Sequence, residues 1–374
     1  MPATDGPASD GASPASCHSR SSSANPILAL SGAECKPWGP PRAHSPGAWG
    51  HTGGVHPHAV AWFARRTSTV AHWPRDEVTR AKSGHRVSVV IPARDEEATV
   101  GAIVATIRAD LMTGVTPLVD ELLVIDSDST DRTAEVARAA GATVRASHEV
   151  LPDVPTVPGK GEAMWRGIAA TTGDIIVFLD ADLLSFTPDY VVGLLGPILL
   201  DPSVHLVKAA YERPLVDGSG ARVAGGGRVT ELVARPLLNL HWPELAGVAQ
   251  PLAGEYAVRR ELIESLPIPC GYGVEFALLV DTAERLGIDA IAQVDLGERL
   301  HRHQDEQQLG RMSAQIWQVA LDRLDPDYAI ARPSTEAEIA QFVYGPEGLR
   351  VERHAVDALV RPPLQQVPEY AFGD

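Results

Sequence analysis

Between Arg86 and Asp201 the chain alternates short apolar runs with stretches of helical period. VSVVIPA (Val87–Ala93) is β-branched and continuous, which is typical of a strand buried on both faces of a parallel sheet. Apolar residues then recur every three or four positions from Val100 to Leu111, which predicts an amphipathic helix. ELLVID (Glu121–Asp126) predicts a second strand. One strand–helix–strand unit is therefore expected over this first part.

The same pattern continues along the chain. AEVARAAGA predicts a helix that ends at Gly141. GKGEAMWRGIAATTG (from Gly159) predicts another helix, and DIIVFLDADL (Asp174–Leu183) the next strand. Strands that alternate with helices are typical of an α/β fold, so we expect a Rossmann-like, mixed but mostly parallel sheet with flanking helices.

Four segments follow from these patterns. Residues 1–84 are rich in Ser, Ala, Pro, Gly and His without a period, which predicts a disordered low-complexity extension. Within it, His58–Trp73 is either a linker or a short helix that docks on the body. Residues 85–220 contain the strand–helix units, and residues 221–330 contain later helices. Residues 331–374 are predicted to be a helical tail, because Thr335–Glu338 has the form of a capping box.

Composition narrows the classes of function. The net charge of −16 argues against nucleic acid as a partner, because nonspecific binding to phosphates requires clustered Lys and Arg. The three cysteines lack zinc or disulfide spacing, which favours a reducing, cytoplasmic location. The apolar stretch Tyr190–Leu200 is shorter than the roughly 20 residues of a membrane span, so no membrane association is expected.

Polar residues at strand ends are the main candidates for chemistry, because open α/β sheets bind ligands beyond the carboxyl ends of their strands. Asp180-Ala181-Asp182 ends an apolar strand. Its two carboxylates suit Mg²⁺ or Mn²⁺ together with substrate phosphates, although acids after strands are also common for purely structural reasons. The segment Asp126–Thr133 offers acceptors for ribose and base donors, or else forms an ordinary Asx turn and helix cap.

Two glycine-containing segments are candidate anion sites. Gly159-Lys160-Gly161 places an ammonium group and free backbone donors at a helix start, although the chain lacks a Walker A motif. Gly225–Thr230, which includes Arg228, is either an anion cradle or a plain tight turn. Beyond a late strand, the imidazole of His301 either completes a metal site with Asp182 or belongs to a solvated basic stretch.

Several motifs together resemble one family. They are VVIPARDEE, IDSDSTDRT, GKGEAMWRG, VFLDADL, GGGRVTELVARPLL, PLAGEY, GYGVEFALLVDT and GERLHRH. In this order, from about Arg86 to Leu324, they resemble the glucosyl-3-phosphoglycerate synthases, which are retaining glycosyltransferases of the GT-A fold. The resemblance implies that residues 85–220 bind a nucleotide sugar. It also implies that residues 221–330 bind the acceptor and complete the metal site, and that the C-terminal helical region contributes to the acceptor site or to dimerisation.

The resemblance also implies roles for individual residues. Donor-binding positions are Pro92, Ala93, Arg94, Asp95, Glu96, Ser127, Lys160, Asp180, Ala181, Tyr272 and Glu275. Acceptor-binding positions are Gly227, Arg228, Val229, Thr230 and His303. The implied metal ligands are Asp182 and His301, with Mg²⁺ or Mn²⁺ as cofactor. The chain departs from the family pattern at Arg94-Asp95, where the family has Leu-Asn, and at His303, where it has asparagine.

The activity implied by the resemblance is transfer of glucose from UDP-glucose to the 2-hydroxyl of 3-phosphoglycerate with retention at the anomeric carbon. The catalytic positions would be Asp182, Lys160, Glu275 and Leu252. The metal and Lys160 would stabilise the departing diphosphate, the backbone carbonyl of Leu252 would steady the oxocarbenium-like centre, and Glu275 would lie near the donor sugar without acting as a nucleophile.

Three alternatives remain open from the sequence. A mannosyl-3-phosphoglycerate synthase that uses GDP-mannose differs only in its donor. A polyprenyl-phosphate glycosyltransferase would be expected to carry a membrane anchor or a basic amphipathic helix. A sugar-nucleotide-binding protein without activity would be expected to lack a metal ligand or the acceptor arginine. Family analogy also predicts a homodimer.

Overall fold

The computed structural model describes residues 56–212, 214–216, 222–224, 227–299, 306–324, 338–345, 348–355 and 359–371. The strands are β1 (Thr67–Thr69), β2 (Val87–Ala93), β3 (Glu121–Asp126), β4 (Thr143–Ala146), β5 (Ile175–Phe178), β6 (Leu206–Glu212), β7 (Pro214–Val216), β8 (Arg222–Ala224), β9 (Tyr256–Arg259), β10 (Ile268–Pro269), β11 (Ile291–Glu298), β12 (Glu338–Gly345), β13 (Gly348–Ala355) and β14 (Val360–Arg361).

The α-helices are α1 (Pro57–Arg66), α2 (Arg75–Ala81), α3 (Val100–Leu111), α4 (Thr133–Ala140), α5 (Lys160–Ala169), α6 (Asp189–Leu200), α7 (Arg235–His241), α8 (Arg260–Ile263), α9 (Val274–Leu286), α10 (Glu306–Leu321) and α11 (Pro368–Ala371). Short 3₁₀ turns cover Val70–His72, Ser147–Glu149, Pro243–Gly247, Ile288–Ala290 and Leu364–Gln366, and a π-helical turn covers Thr230–Ala234.

Eight strands form the main sheet in the order β1-β11-β6-β9-β5-β2-β3-β4. Strand β9 runs antiparallel to both of its neighbours, β5 and β6, while the other pairs are parallel. This mixed, mostly parallel sheet confirms the predicted fold class. The carboxyl ends of β2, β3 and β5 therefore meet at one edge.

Both faces of the sheet are covered, and this explains the continuous apolar runs in its strands. Alternate residues of β2 point to opposite faces, so Val90 joins the core beneath α5, α7 and α9, whereas Val89 and Ile91 join the core beneath α3 and α6. Most polar side chains of β3 and β5 therefore lie at or beyond the strand ends, whereas the buried Ser88, Lys208 and Gln293 are polar residues within strands of the sheet.

The part of the predicted extension that the structure describes, residues 56–84, is folded, so the boundary at residue 84 is wrong. The alternative of a docked helix describes α1, because Trp62 is fully buried and its Nε1 donates a 2.9 Å hydrogen bond to the carbonyl of Ile291. Strand β1 also pairs in parallel with β11. The composition concealed this because β1 has only three residues and α1 buries only Ala59 and Trp62. Residues 1–55 lie outside the described residues.

The prediction of a helical C-terminal tail is also wrong for most of what the structure describes there. Strands β12 and β13 form an antiparallel hairpin, and the helix α11 has only four residues. Glu338, the last residue of the predicted capping box, begins β12, while Thr335–Ala337 lie outside the described residues. The run Phe342-Val343-Tyr344 favours a strand, and this preference outweighs the weak capping signal. In the described part of the chain, no helix is both long and apolar enough to cross a membrane.

Candidate active site

A cavity of about 660 Å³ opens at the carboxyl ends of β2, β3 and β5. Most of the residues predicted from the sequence line it, both those predicted to bind the donor and those predicted to bind the acceptor. They are Pro92, Ala93, Arg94, Glu96, Ser127, Lys160, Asp180, Ala181, Asp182, Gly227, Arg228, Val229, Thr230, Leu252, Tyr272 and Glu275. The volume is that of a site for a drug-sized or nucleotide-sized ligand. Residues up to 223 positions apart in sequence, Pro92 and Gln315, thus meet at one site.

Lys160 connects two carboxylates at the base of the cavity. Its Nζ lies 2.6 Å from Oδ1 of Asp180 and 2.7 Å from Oε1 of Glu275. Lys160 is the first residue of α5, and it therefore lies at the positive end of the helix dipole. The ammonium group, the helix start and the cavity together form a site for an anion such as a diphosphate.

Arg299 connects the two acids of the strand-end motif. Its Nη2 lies 2.8 Å from both Oδ2 of Asp180 and Oδ1 of Asp182. Its Nη1 donates a 2.9 Å hydrogen bond to the hydroxyl of Tyr211, which in turn donates to Glu255 at 2.9 Å. Arg299 and Glu255 are both buried. This network holds the Asp180 and Asp182 carboxylates in fixed orientations, with Asp182 the more exposed of the two at 31% against 19%.

The charges at the base of the cavity stabilise one another. Burial opposes the charged form of Lys160, but Asp180 and Glu275 outweigh it and raise the pKa of Lys160 well above its usual value. Burial likewise opposes the charged form of Asp180, while Lys160 and Arg299 hold its pKa well below the usual range. Lys160 is therefore cationic and Asp180 anionic at neutral pH, before any substrate enters.

A second, deeper lysine lies below this layer. Lys208 on β6 is fully buried, donates a hydrogen bond to the carbonyl oxygen of Ala253, and lies 4.8 Å from the ring centroid of Tyr256. Burial lowers the pKa of Lys208 to about 8. Since Leu252 lines the cavity next to Ala253, Lys208 supports this turn of the cavity wall from behind.

Glycines permit the close packing around Lys160. A Cβ atom on Gly254 would lie 2.1 Å from Oδ1 of Asp180 and 2.4 Å from Nζ of Lys160. A Cβ atom on Gly159, whose φ is +144°, would lie 2.1 Å from the carbonyl oxygen of Cys270. Gly159 is therefore required by backbone packing as well as by its positive φ.

The predicted acceptor-binding segment Gly227–Thr230 lies beside α10. Nη1 of Arg228 lies 3.4 Å from Oε1 of Glu306, at the start of α10. Three further residues of α10 line the cavity: Leu309, Met312 and Gln315. Gln315 accepts a 3.0 Å hydrogen bond from the backbone N–H of Tyr272, so α10 connects the predicted acceptor-binding segment with Tyr272. Gly225 and Gly226 lie outside the described residues.

One predicted donor-binding residue is not among those that line the cavity. Asp95 has a φ of +55°, and its Oδ1 accepts hydrogen bonds from the backbone N–H and the hydroxyl of Thr130, at 2.7 and 3.1 Å. It thus connects the loops that follow β2 and β3. His301 and His303 lie outside the described residues, which end on that side at Arg299.

The donor atoms available to a divalent cation fit a site with few protein ligands. Arg299 occupies Oδ1 of Asp182, while the carboxylate is partly exposed and faces the cavity. Both oxygens of Asp180 are occupied by Lys160 and Arg299. Within the described ranges, no group of three His, Cys, Asp or Glu side chains is arranged to hold a metal. Asp182 would therefore need further oxygens from phosphates or water, which is the usual arrangement for Mg²⁺.

Several residues of the site were not predicted from the sequence: Lys208, Tyr211, Glu255, Arg299, Leu309, Met312 and Gln315. A usable signal existed for Lys208, because a lysine inside the apolar strand LVKAA must find partners when buried. Arg299 is the first residue of the basic stretch Arg299–His303, but its pairing with Asp180 and Asp182 is not visible in the sequence. The cavity-lining residues of α10 could not be predicted in this way, because the apolar face of this helix also packs against the core.

The sheet, the strand-end acids and the nucleotide-sized cavity define a glycosyltransferase with the GT-A fold. The model of glycosyl transferase family 2 matches residues 88–222. Glucosyl-3-phosphoglycerate synthase of Mycolicibacterium paratuberculosis is 49% identical over 312 residues, which cover 82% of this chain and 92% of that one. The chain belongs to the glucosyl-3-phosphoglycerate synthase family.

Solved structures agree with this relationship. Glucosyl-3-phosphoglycerate synthase from Mycobacterium tuberculosis in complex with Mn²⁺, UDP-glucose and phosphoglyceric acid superposes with a TM-score of 0.68 at 46% identity, covering 78% of this chain and 95% of that chain. Mannosyl-3-phosphoglycerate synthase from Rubrobacter xylanophilus superposes with a TM-score of 0.75 at 40% identity, covering 82% and 99%. The fold alone therefore does not separate the two donors.

Proposed function

We propose that the protein transfers glucose from UDP-glucose to the 2-hydroxyl of 3-phosphoglycerate, with retention at the anomeric carbon. The observation that carries the proposal is a single cavity lined both by the strand-end residues of the donor side, Lys160 and Asp180–Asp182, and by the acceptor-side segment Gly227–Thr230. The identity to glucosyl-3-phosphoglycerate synthases over most of both chains supports this choice of substrates.

In the proposed reaction, the bond from the anomeric carbon to the β-phosphate oxygen breaks and a bond to the acceptor oxygen forms. The hydroxyl proton passes to the departing diphosphate, so that the products are glucosyl-3-phosphoglycerate and UDP. Lys160 is placed to stabilise the charge that develops on the diphosphate, because its ammonium group is held in position before substrate binds. The main-chain carbonyl of Leu252 would face the developing positive charge at the sugar.

A divalent cation, Mg²⁺ or Mn²⁺, would be held by Asp182 and His301 together with diphosphate oxygens, and would supply Lewis-acid stabilisation of the leaving group. Arg299 orients Asp182 for this role through its 2.8 Å bond to Oδ1. Arg228 would bind the phosphate or carboxylate of the acceptor, since a guanidinium group matches either anion in a bidentate manner.

The direct test is product formation by the full chain with 3-phosphoglycerate, offering UDP-glucose and GDP-mannose separately, with Mn²⁺ or Mg²⁺ and with chelator. Metal-dependent glucosyl transfer from UDP-glucose is expected. Mannosyl transfer from GDP-mannose alone would overturn the donor assignment while keeping the site. Folded protein that binds UDP-glucose but transfers no sugar would identify a sugar-nucleotide-binding protein instead.

Two pairs of variants test the assigned roles. Asp182→Asn is expected to lower turnover at least about 100-fold, since metal stabilisation contributes several kcal/mol. Asp189→Asn, which changes an exposed acid on α6, serves as its control.

Arg228→Gln is expected to raise the KM for 3-phosphoglycerate about 10- to 100-fold without changing that for UDP-glucose. Arg235→Gln is its control, because both arginines are 31% exposed and pair with a glutamate.

We further propose that the protein is a homodimer, on the basis of the family resemblance, and that it is located in the cytoplasm, because its three cysteines lack disulfide spacing. Sedimentation equilibrium of the full chain would give twice the 39.8 kDa chain mass for a dimer. A species of a single chain mass at micromolar concentration would contradict the dimer. Fractionation of producing cells would test the location.

A further inference from the structure

We infer that Arg361, on the C-terminal strand β14, is a positioning residue that holds together two walls of the donor pocket. The inference rests on the proposed function, because it assigns the pocket to the nucleotide sugar. Arg361 itself is not among the cavity-lining residues. It acts on the cavity through two backbone segments, residues 150–159 and residues 268–272, which we call the first and second wall segments.

The first wall segment is attached directly to Arg361. Its Nε and Nη2 donate to Oε2 and Oε1 of Glu162 at 2.6 and 2.8 Å, and Nη2 also donates to the carbonyl of Pro155 at 2.5 Å. The next residues along the chain, Thr156, Val157 and Pro158, line the cavity. The guanidinium group therefore fixes the start of a cavity-lining stretch from outside the cavity.

Arg166 completes the attachment of this segment. It shares Glu162 at 2.7 Å, and it donates to the carbonyls of Val150, Leu151 and Val154. The indole ring of Trp165 has Arg166 and Arg361 within 5.8 and 5.3 Å of its centroid, and its Nε1 donates to the carbonyl of Pro362. Glu162 is 1% exposed, and its buried carboxylate pairs with both arginines.

The second wall segment is attached to the same strand. Ile268 and Pro269 of β10 pair antiparallel with Arg361 and Val360 of β14, and the N–H of Cys270 donates to the carbonyl of Leu359 at 2.9 Å. The residues that follow, Gly271 and Tyr272, line the cavity. Strand β14 therefore anchors this wall through its backbone while Arg361 anchors the other wall through its side chain.

The second wall segment also contacts the first turn of α5, which directly follows the first wall segment. The N–H of Glu162 donates to the carbonyl of Cys270 at 3.1 Å, and a Cβ atom on Gly161 would lie 1.9 Å from the carbonyl oxygen of Pro269. With so little free space, a small outward movement of β14 would move both walls and change the opening between Pro158 and Tyr272. Lys160, Asp180 and Asp182, in contrast, are held by their own ion pairs.

This arrangement predicts that a substitution of Arg361 weakens the binding of the donor and leaves turnover nearly unchanged. Arg361→Lys keeps the charge but loses the fork that contacts Glu162 and Pro155 together. Steady-state kinetics of the full chain should show the KM for UDP-glucose raised about tenfold, the effect of about 1.4 kcal/mol of lost binding, with kcat within about threefold of the wild-type value. Amide hydrogen exchange of residues 151–159 and 270–272, measured without substrate, should become faster in the same variant.

Arg323→Lys is the matched control. Arg323 is 11% exposed and makes a bidentate pair with the buried Asp281 at 2.6 and 2.7 Å, whereas Arg361 is 12% exposed. Both variants should lose similar thermal stability, but Arg323→Lys should leave the KM and the exchange of both wall segments unchanged.

Unchanged exchange of both segments in Arg361→Lys, or equal changes in the two variants, would overturn the inference. Exchange that speeds up in Arg361→Lys alone would support it even for a wild-type protein that did not accept UDP-glucose. Only the proposed function would fail in that case, so the two failures are distinguishable.

Discussion

Lys160 and Asp180, twenty residues apart in sequence, form a 2.6 Å ion pair between the first residue of α5 and the segment that follows β5. The pair is held on one side by Glu275 and on the other by Arg299. Because each charge is compensated before substrate enters, the ammonium group is oriented toward the cavity without reorganisation at the moment of reaction.

Replacement of Lys160 is expected to slow the chemical step more than it destabilises the fold. Lys160→Met should lower kcat about 10²- to 10³-fold, because a charge that stabilises the leaving group is lost. Lys82→Met is the control, since Lys82 is also largely buried and pairs with Asp120 at 2.8 Å, away from the cavity. Rapid-quench measurement of a single turnover would separate the chemical step from product release. A Lys160→Met variant with wild-type single-turnover rate would exclude the assigned role.

Gly254 is expected to tolerate no side chain. In Gly254→Ala, the added methyl group would displace Asp180 or Lys160, and a displacement of this size costs about 10²-fold in rate. Gly101→Ala provides the comparison, because its Cβ atom would lie 2.7 Å from Cγ1 of Val136 in the core beneath α3 and α4. Assays of both variants at equal fractions folded should show the loss only in Gly254→Ala; equal activities would contradict the proposed geometry.

Lys208 is expected to make the free energy of unfolding depend on pH in the alkaline range. Its pKa of about 8 in the folded protein lies below the ordinary value of 10.5, so the unfolded chain binds the proton more tightly between these two pH values. Stability must therefore rise with pH across this window as the penalty of the buried charge is relieved. Relative to Lys208→Met, the wild type should gain about 1.5 kcal/mol of unfolding free energy between pH 8 and pH 9.5.

Urea denaturation of both proteins at each pH would measure this difference. Taking the wild type relative to the variant cancels the contributions of groups that titrate equally in both. A difference that stays constant from pH 8 to 9.5, or falls, would show that Lys208 is not a buried cation with a lowered pKa.

Helix α1 is expected to contribute to the stability of the catalytic body. Trp62→Ala should lower the free energy of unfolding by about 3 to 5 kcal/mol, because a fully buried indole and its hydrogen bond to Ile291 are lost. Phe63→Ala, at a neighbouring ring that is 48% exposed, should cost less than about 1 kcal/mol. Similar destabilisation by the two substitutions, measured by urea denaturation, would contradict the docked position of α1.

Sequence patterns located the buried elements well. Strand β3 has the predicted bounds Glu121–Asp126, and α3 covers the predicted Val100–Leu111, because a strand or helix that is buried leaves a continuous or periodic apolar signal. Elements that are short or attached at the sheet edge left no such signal, as for β1 and β14. The hairpin of β12 and β13 was predicted as a helix, since local capping preferences are weaker than strand propensity combined with pairing.

The residues of the candidate site likewise include some that the sequence predicts and others whose contacts appear only in the folded chain. Lys160, Asp180 and Asp182 were found from the sequence because each lies at the end of a regular element, and parallel strands bring those ends to one edge. The partners of Arg299, Glu255, Lys208 and Arg361 are recognised only in the folded chain, because they are 44 to 199 residues away in sequence. Local patterns encode which residues are buried and where an element ends; which buried charges meet depends on long-range packing.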